Sequence, residues 1–492
     1  MTWEPVIGLE VHVQLKTRSK LFCSCPTTFG EEGNRNTCPV CLGWPGSLPV
    51  VNEEALKLAV RAGLALHCEI ASRLKFDRKN YFYPDLPKAY QISQYDMPIN
   101  GKGWVEIETT SAVKRIGITR AHLEEDAGKL LHEGIAEGSL VDYNRGGIPL
   151  LEIVSEPDIR SPEEAYDYLT TLKAILQYTG VSDCDMEKGS LRCDANVSIR
   201  PSGQQKLGTK VEIKNLNSFK MVQKALEYEI ERQTEALTNG ETVLQETRLW
   251  NDAQGATFSM RSKEEAHDYR YFPEPDLVPF TLSRETVEKI RATLPELPAA
   301  RAKRYRDGLG LSPYDAQVLV QDKKLADYFE GVLQALGLKI PAGGRIQDNE
   351  KAAVKAVSNW IQSELLALLN ERKLAIEDAP VPAAAFAELM ALILDQTVSG
   401  KIAKDVLPAM FETAKSAKAI VQEKGLVQVA DAGLLEKIVE KVLAENPGSV
   451  ADFKAGKQKA IGALVGAVMK ATQGKANPKI ANEILQRKLG GS

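Results

Sequence analysis

In the run Gly8-Leu9-Glu10-Val11-His12-Val13-Gln14-Leu15, aliphatic residues alternate with Glu10, His12 and Gln14. A strand of period two puts that carboxylate and that imidazole on one face and the aliphatics on the other. A strand with one solvated face has the same pattern, so a single run decides nothing. The alternation returns in residues 191–199, where Arg192, Asp194, Asn196 and Ser198 share a face, and in residues 210–214, where Lys210, Glu212 and Lys214 do. Solvated faces favour Thr, Lys and Gln, whereas these hold carboxylates with donors beside them. If the three strands share a sheet, Glu10, His12, Asp194 and Glu212 converge. Such a surface offers hard oxygen ligands for Mg²⁺ and cations for phosphate.

Further carboxylates stand in His122-Leu123-Glu124-Glu125-Asp126, which reads equally as an exposed turn or helix start. In Asp142-Tyr143-Asn144-Arg145-Gly146-Gly147-Ile148-Pro149 the paired glycines give a backbone able to approach a ligand closely. Cys23, Cys25, Cys38 and Cys41 lie within nineteen residues as C-x-C and C-x-x-C pairs. Four thiolates so close fit a structural Zn²⁺ site with no open position. Cys68, Cys184 and Cys193 read as ordinary core residues. Between Asp77 and Tyr95, Arg78, Lys79, Lys88 and several tyrosines interleave, which suits either an unpaired RNA end or a Tyr-rich sheet surface. No P-loop, G-x-G-x-x-G fingerprint or G-x-S-x-G elbow occurs, and no nucleophile–base set for hydrolysing glutamine is evident.

The elements that must position these groups follow from composition. The chain has 492 residues, 43% hydrophobic and 26% charged, enough for two to four domains. Lys+Arg 62 against Asp+Glu 66 gives a net charge of −4, which excludes a uniformly basic nucleic-acid coat. No apolar run is long enough for a membrane span, residues 1–5 lack a signal-peptide pattern, and the cysteines cluster as in a reducing compartment; a cytoplasmic protein is expected. Up to about Pro279 the chain is rich in Val, Ile, Thr and Tyr in short runs, and reads as mostly strand. Ser161-Pro162-Glu163-Glu164 opens one helix as a capping box, and the apolar period from Ala165 to Leu176 ends at Gly180. A second helix is expected from Ser218 to about Leu237. Beyond residues 295–300 Ala, Leu, Lys, Glu and Gln dominate, with breaks at Pro341-Ala342-Gly343-Gly344 and Ala379-Pro380. The fold class is α+β: a large mostly-β domain over 1–294, then helical domains over 295–405 and 406–492. The last stretch, residues 449–492, holds eight cations (Lys454, Lys457, Lys459, Lys470, Lys475, Lys479, Arg487, Lys488) and two anions (Asp452, Glu483), a local charge of 8 − 2 = +6. A solvated helical face has the same look.

Four segments together carry a resemblance: Ile7-Gly8-Leu9-Glu10-Val11-His12, Cys38-Pro39-Val40-Cys41-Leu42-Gly43, His122-Leu123-Glu124-Glu125-Asp126, and the segment from Asp142 to Glu152. They resemble the B subunits of bacterial tRNA-dependent amidotransferases. The resemblance implies a cradle-like catalytic domain, a helical domain and a tRNA-contacting tail. It implies ATP- and Mg²⁺-dependent phosphorylation of the side-chain carboxylate of Glu-tRNA(Gln) or Asp-tRNA(Asn). Ammonia from an amidase A subunit then displaces phosphate, and a small C subunit completes a heterotrimer. On that footing Glu10, His12, Glu125, Asp194 and Glu212 are expected in one Mg²⁺/ATP site, with Arg192, Lys210 and Lys214 toward the nucleotide. Lys454, Lys457, Lys459, Lys470, Lys475 and Lys479 are expected on tRNA. A non-catalytic tRNA-binding scaffold, or a ligase acting on a free amino acid, would be the alternatives.

Overall fold

The alternating run of residues 8–15 is realised in the central strand of a sheet, β1 (Trp3–Gln14), whose Leu9, Val11 and Val13 are buried to within 1%. Seven more strands complete the sheet: β2 (Gly103–Glu108), β3 (Val113–Glu125), β4 (Pro149–Ser155), β5 (Leu191–Pro201), β6 (Val211–Leu216), β7 (Glu246–Asn251) and β8 (Ala256–Ser262). Their spatial order is β8-β7-β6-β5-β1-β4-β3-β2. Every neighbouring pair is antiparallel except β6 and β7, which are parallel and therefore need a crossover. The helix α3 (Phe219–Thr238) supplies it.

The computed structural model describes residues 2–109, 112–131, 138–262, 266–338, 344–426, 432–455, 457, 459–472, 476 and 478–490. It divides into two units, Met1–Leu297 and Pro298–Ser492.

In the first unit, α1 (Glu53–Ala65), α2 (Pro162–Tyr178) and α3 cover the apolar side of the sheet. Helix α2 starts as its sequence requires: Ser161 Oγ accepts from the Glu164 N–H at 3.2 Å, and Pro162 loses no bond at the first position. The Glu164 carboxylate reaches one residue further back than a capping box, accepting from the Arg160 N–H at 2.7 Å. Ala165, Tyr168, Leu169, Leu172 and Leu176 are all fully buried, each large aliphatic contributing about 2 kcal/mol. Gly180 closes the turn at φ +69. A small three-stranded sheet, with Asp77–Asn80 between Tyr90–Ser93 and Phe272–Pro273, carries the Tyr-rich segment.

The second unit is helical throughout its described residues. Pro341, Ala342 and Gly343, expected as a break, lie outside the described residues; Gly344 has φ +112. One apolar core draws on residues 302 to 421 and another on residues 435 to 489. Val406, Leu407, Met410, Phe411 and Ile420, assigned from composition to the tail, thus belong to the earlier core, because the helices Gly400–Thr413 and Ala417–Glu423 turn their apolar faces into it.

Candidate active site and cysteine cluster

Register decides which side chains meet. Glu10 lies opposite Asp194, His12 opposite Arg192, and Asn196 opposite Glu212, so β1, β5 and β6 share the expected face. On the other side of β1, His12 lies opposite Glu152, and Glu152 lies opposite His122 on β3. Paired residues project to the same side of a sheet. One transverse row therefore reads Arg192, His12, Glu152, His122.

His12 Nε2 is 3.3 Å from Glu152 Oε2 and 3.9 Å from Glu124 Oε1. His122 Nε2 is 3.6 Å from both Glu124 Oε2 and Glu152 Oε2. The Ser93 hydroxyl donates to Glu124 Oε2 at 3.2 Å. Glu124 is 3% exposed and Glu152 8%, deep enough that their charges need compensation. Burial pushes the Glu152 carboxyl up, but His122 and His12 outweigh it and hold the group well below the usual carboxylate range. Burial likewise opposes an imidazolium at His12, yet Glu152 first, then Glu124 and Asp194, raise it to about 8. Lys79 is raised too: burial opposes its charge, and Glu124 and Glu152 prevail. Its ammonium stands over the rings of Tyr269 and Tyr81 at 5.0 and 5.7 Å.

His12, Glu124 and Glu152 place ligand atoms within 4.8 Å of one another, a hard donor set that suits Mg²⁺. Of the five residues expected together, only His12 is in this trio. Glu10 and Asp194 form the neighbouring row on the same face and Glu212 stands in the next one, opposite Asn196, all three bound into protein contacts. The Asn196 amide donates to Glu10 Oε1 at 2.9 Å, Lys214 Nζ to Asp194 Oδ2 at 2.7 Å, and the Thr247 hydroxyl to Glu212 Oε2 at 2.8 Å.

Glu125 is elsewhere. It follows Glu124 on β3, so the pleat turns it to the opposite side, where it pairs with Lys88 and accepts from the Ile92 N–H at 2.8 Å. Arg192 donates to the buried Asp126 at 2.7 Å, and Arg145 braces the same turn through the carbonyls of Ala127 and Gly128 at 2.9 and 2.6 Å. Lys210 is exposed at the rim of a 440 Å³ cleft whose lining includes Gly8, Glu10, Val154, Pro157 and Asn196.

From the sequence alone His122 and Glu124 are named only within their segment, Lys79 is read with the aromatic run, and Glu152 is left without a role. Parity was a usable signal for Glu124, which matches His122 and not Glu125. Glu152, alone among the apolar residues Leu150, Leu151, Ile153 and Val154, was another.

The four expected cysteines do come together, with sulfur atoms within 4.8 Å of one another. Cys38 and Cys41 sulfurs are 3.9 Å apart, close to the edge of about 3.8 Å that a tetrahedron with 2.3 Å metal–sulfur bonds requires. The Cys38 N–H donates to Cys41 Sγ at 3.2 Å. A bond from Cys23 and the charge of Lys20 pull the Cys41 thiol down to about 4. The donor set fits zinc. Cys68, Cys184 and Cys193 are buried in the core. Of the paired glycines at residues 146–147, Gly147 stands against this cluster: it has φ +87, and a Cβ there would stand 3.5 Å from Cys41 Cβ and 3.4 Å from Lys20 Cδ.

The aromatic segment lines a 590 Å³ cavity with Lys79, Tyr81, Phe82, Tyr83, Tyr269 and Arg270 among its walls; Phe82 is 85% exposed. In the last helices Lys454, Lys457, Lys459 and Lys470 are exposed, with Lys457 paired to Asp452 at 2.9 Å. Arg487 pairs with Glu436, and Lys488 with Glu440 at 2.6 Å. Lys475 and the side chain of Lys479 lie outside the described residues. No helix among the described residues is long and apolar enough to cross a membrane.

Residues 5–288 match the GatB/GatE catalytic domain family, and residues 347–489 the GatB domain family. The chain is 57% identical over 490 residues to the B subunit of the aspartyl/glutamyl-tRNA(Asn/Gln) amidotransferase of Carboxydothermus hydrogenoformans, covering 99% of each chain. It is 58% identical over 489 residues to the proteins of the same name from Caldanaerobacter subterraneus and Thermoanaerobacter pseudethanolicus, covering 99% of this chain and 100% of each of those.

Proposed function

Because the chain belongs to the family of aspartyl/glutamyl-tRNA(Asn/Gln) amidotransferase B subunits, we propose that its eight-stranded sheet carries the ATP-dependent activation of the misacylated carboxylate. Membership gives the amidotransferase role. The observation that supports the chemistry is the trio of His12, Glu124 and Glu152 on the face that also carries Glu10, Asp194 and Glu212. A carboxylate acylates poorly because its leaving group would be oxide, and phosphorylation supplies a better one. His12, Glu124 and Glu152 would hold a Mg²⁺ ion, which would offset the negative charge that gathers among phosphates.

The chain's own groups divide the remaining work. The cleft at Glu10 and Lys210 lies within the usual volume range for small-molecule sites and takes the nucleotide. Lys214, on the same face, meets its phosphates. Arg192 acts one step back, holding Asp126 and through it the turn that Arg145 braces. The cavity walled by Lys79, Tyr81 and Phe82 receives the acylated RNA end: aromatic faces stack the terminal base, and the Lys79 ammonium attracts the acidic side chain. Ammonia arrives from a glutaminase A subunit, with a small C subunit joining the two. The exposed Lys454, Lys457, Lys459 and Lys470, together with Lys475 and Lys479, contact phosphates of the tRNA body.

Reconstitution tests this reading. The purified three-subunit complex, supplied with ATP, Mg²⁺ and either Glu-tRNA(Gln) or Asp-tRNA(Asn), should transfer the γ-phosphate and form the amide only when tRNA is present. Turnover of free glutamate would favour a small-molecule ligase. Full activity after Glu152→Gln would favour a scaffold with catalysis in a partner.

A further inference from the structure

Lys20 is a lysine with no exposed surface at all. Its ammonium donates to the Tyr143 carbonyl at 3.1 Å and lies 3.6 Å from Cys41 Sγ. Among the described residues no carboxylate lies within 4 Å of it, in contrast to Lys88, Lys75 and Lys214, each of which meets an acid. A buried ammonium is costly unless negative charge stands beside it. The acid nearest to Lys20 Nζ is the Cys41 sulfur. A tetrathiolate around a divalent ion would keep a net charge of about −2 at that place.

We propose that Lys20 is the built-in counter-cation of the four-cysteine metal site, donating an N–H···S bond to the Cys41 thiolate and tying that sulfur to the carbonyl of Tyr143. The proposal rests on the reading of Cys23, Cys25, Cys38 and Cys41 as a zinc site. The surroundings are built for it. The Lys20 N–H bonds the Cys25 carbonyl at 2.9 Å, so the lysine's own backbone is fixed by a ligand residue. The next N–H, from Leu21, bonds the Gly147 carbonyl at 2.8 Å, which brings Gly147 beside the lysine. Gly147 has φ +87, and a Cβ there would stand 3.4 Å from Lys20 Cδ, so the glycine leaves room for the stem. Metal and lysine thus hold each other. The ammonium lowers the charge the sulfurs must share, and the charged cluster makes the buried ammonium tolerable.

Zinc release from the full-length protein to a chelator tests this. Lys20→Met keeps an apolar stem and removes the charge. Lys20→Gln keeps a donor for Tyr143 and removes the charge. Lys16→Met, at an exposed position, is the control. The wild type should carry one zinc, and both Lys20 variants should lose it about tenfold faster, the usual scale for a group bonded to a metal ligand. The control should match the wild type. The melting temperature adds a second reading. Stripping zinc from the wild type removes most of the negative charge beside a buried cation, so its fall in melting temperature should exceed that of Lys20→Met; a merely structural lysine would lower both forms equally. Wild-type release rates in Lys20→Gln would overturn the proposal, and that variant decides the matter should Lys20→Met fail to fold. A wild type without zinc would remove the four-cysteine reading and the proposal with it, whereas zinc present and equally slow to leave in all variants would sink the proposal alone.

Discussion

The first unit holds two clusters of metal-binding character, and they are assembled in opposite ways. The cysteines come from one stretch of nineteen residues, so local turns bring them together and soft sulfur selects the ion. His12, Glu124 and Glu152 come from three different strands, with more than a hundred residues of chain between the first and the other two, and the ladder register brings them together. A local cluster can exchange its sheet without losing its ligands. A register cluster is lost with a one-residue slip, because each side chain would move to the opposite face. The difference separates a staple from a working site: one closes on itself, the other lies open to the face that carries Glu10, Asp194 and Lys214.

The largest expected effect breaks the register cluster. Glu152→Gln should reduce amidation by about 10³-fold, corresponding to several kcal/mol of lost charge stabilisation, with tRNA binding retained. Single-turnover amidation and a filter-binding assay check the two halves. Next, Glu124→Gln and Glu125→Gln should part company. The first should weaken Mn²⁺ binding, read by electron paramagnetic resonance, on the order of a hundredfold. The second should leave Mn²⁺ affinity within about threefold, since its partners are Lys88 and the Ile92 N–H. Equal losses would mean that the pleat does not divide the two acids. The cysteine cluster should respond differently again. Cys38→Ser should cost the zinc and lower the melting temperature by about 5–10 °C, while amidation well below that temperature stays within severalfold. A collapse of activity there would make the staple part of the working site.

The smallest effect is in pH. His12 is raised to about 8, so below that pH a proton occupies the imidazole and must leave before a divalent ion can use the nitrogen. Mn²⁺ affinity of the trio should therefore fall as pH drops through 8, by at most about tenfold per unit. His12→Gln should flatten that slope. The cysteine site should show no break near pH 8.

The same contrast explains what was legible beforehand. Cys23 to Cys41 are readable because spacing along the chain is the relevant coordinate for a local knuckle. Period two along β1 and β5 correctly placed Glu10, His12, Arg192 and Asp194 on one face, because alternation is a property of each strand alone. Which strand lies on the far side of β1 is a property of the whole sheet, and no residue of β1 announces β4. Glu152 was accordingly passed over, and Glu125 was taken where its neighbour belongs. The α2 helix was read closely because caps and period are local. The boundary near residue 405 was not, since composition is equally helical on both sides and only packing assigns Val406 and Phe411 to the earlier core.

The position of β1 has a consequence for synthesis. Strand β1 is made before both of its partners yet is central in the finished sheet, hydrogen-bonded on one side to residues 149–155 and on the other to residues 191–201. At roughly 5–20 residues per second, its outer partner leaves the ribosome about 10–40 s after it does. Throughout that interval an apolar, β-branched strand has an edge unpaired, the condition under which strands find wrong partners. The row that runs from Arg192 through His12 to Glu152 cannot exist on a nascent chain that has not yet passed Arg192. A ribosome stalled earlier displays the four-cysteine segment complete and that row absent.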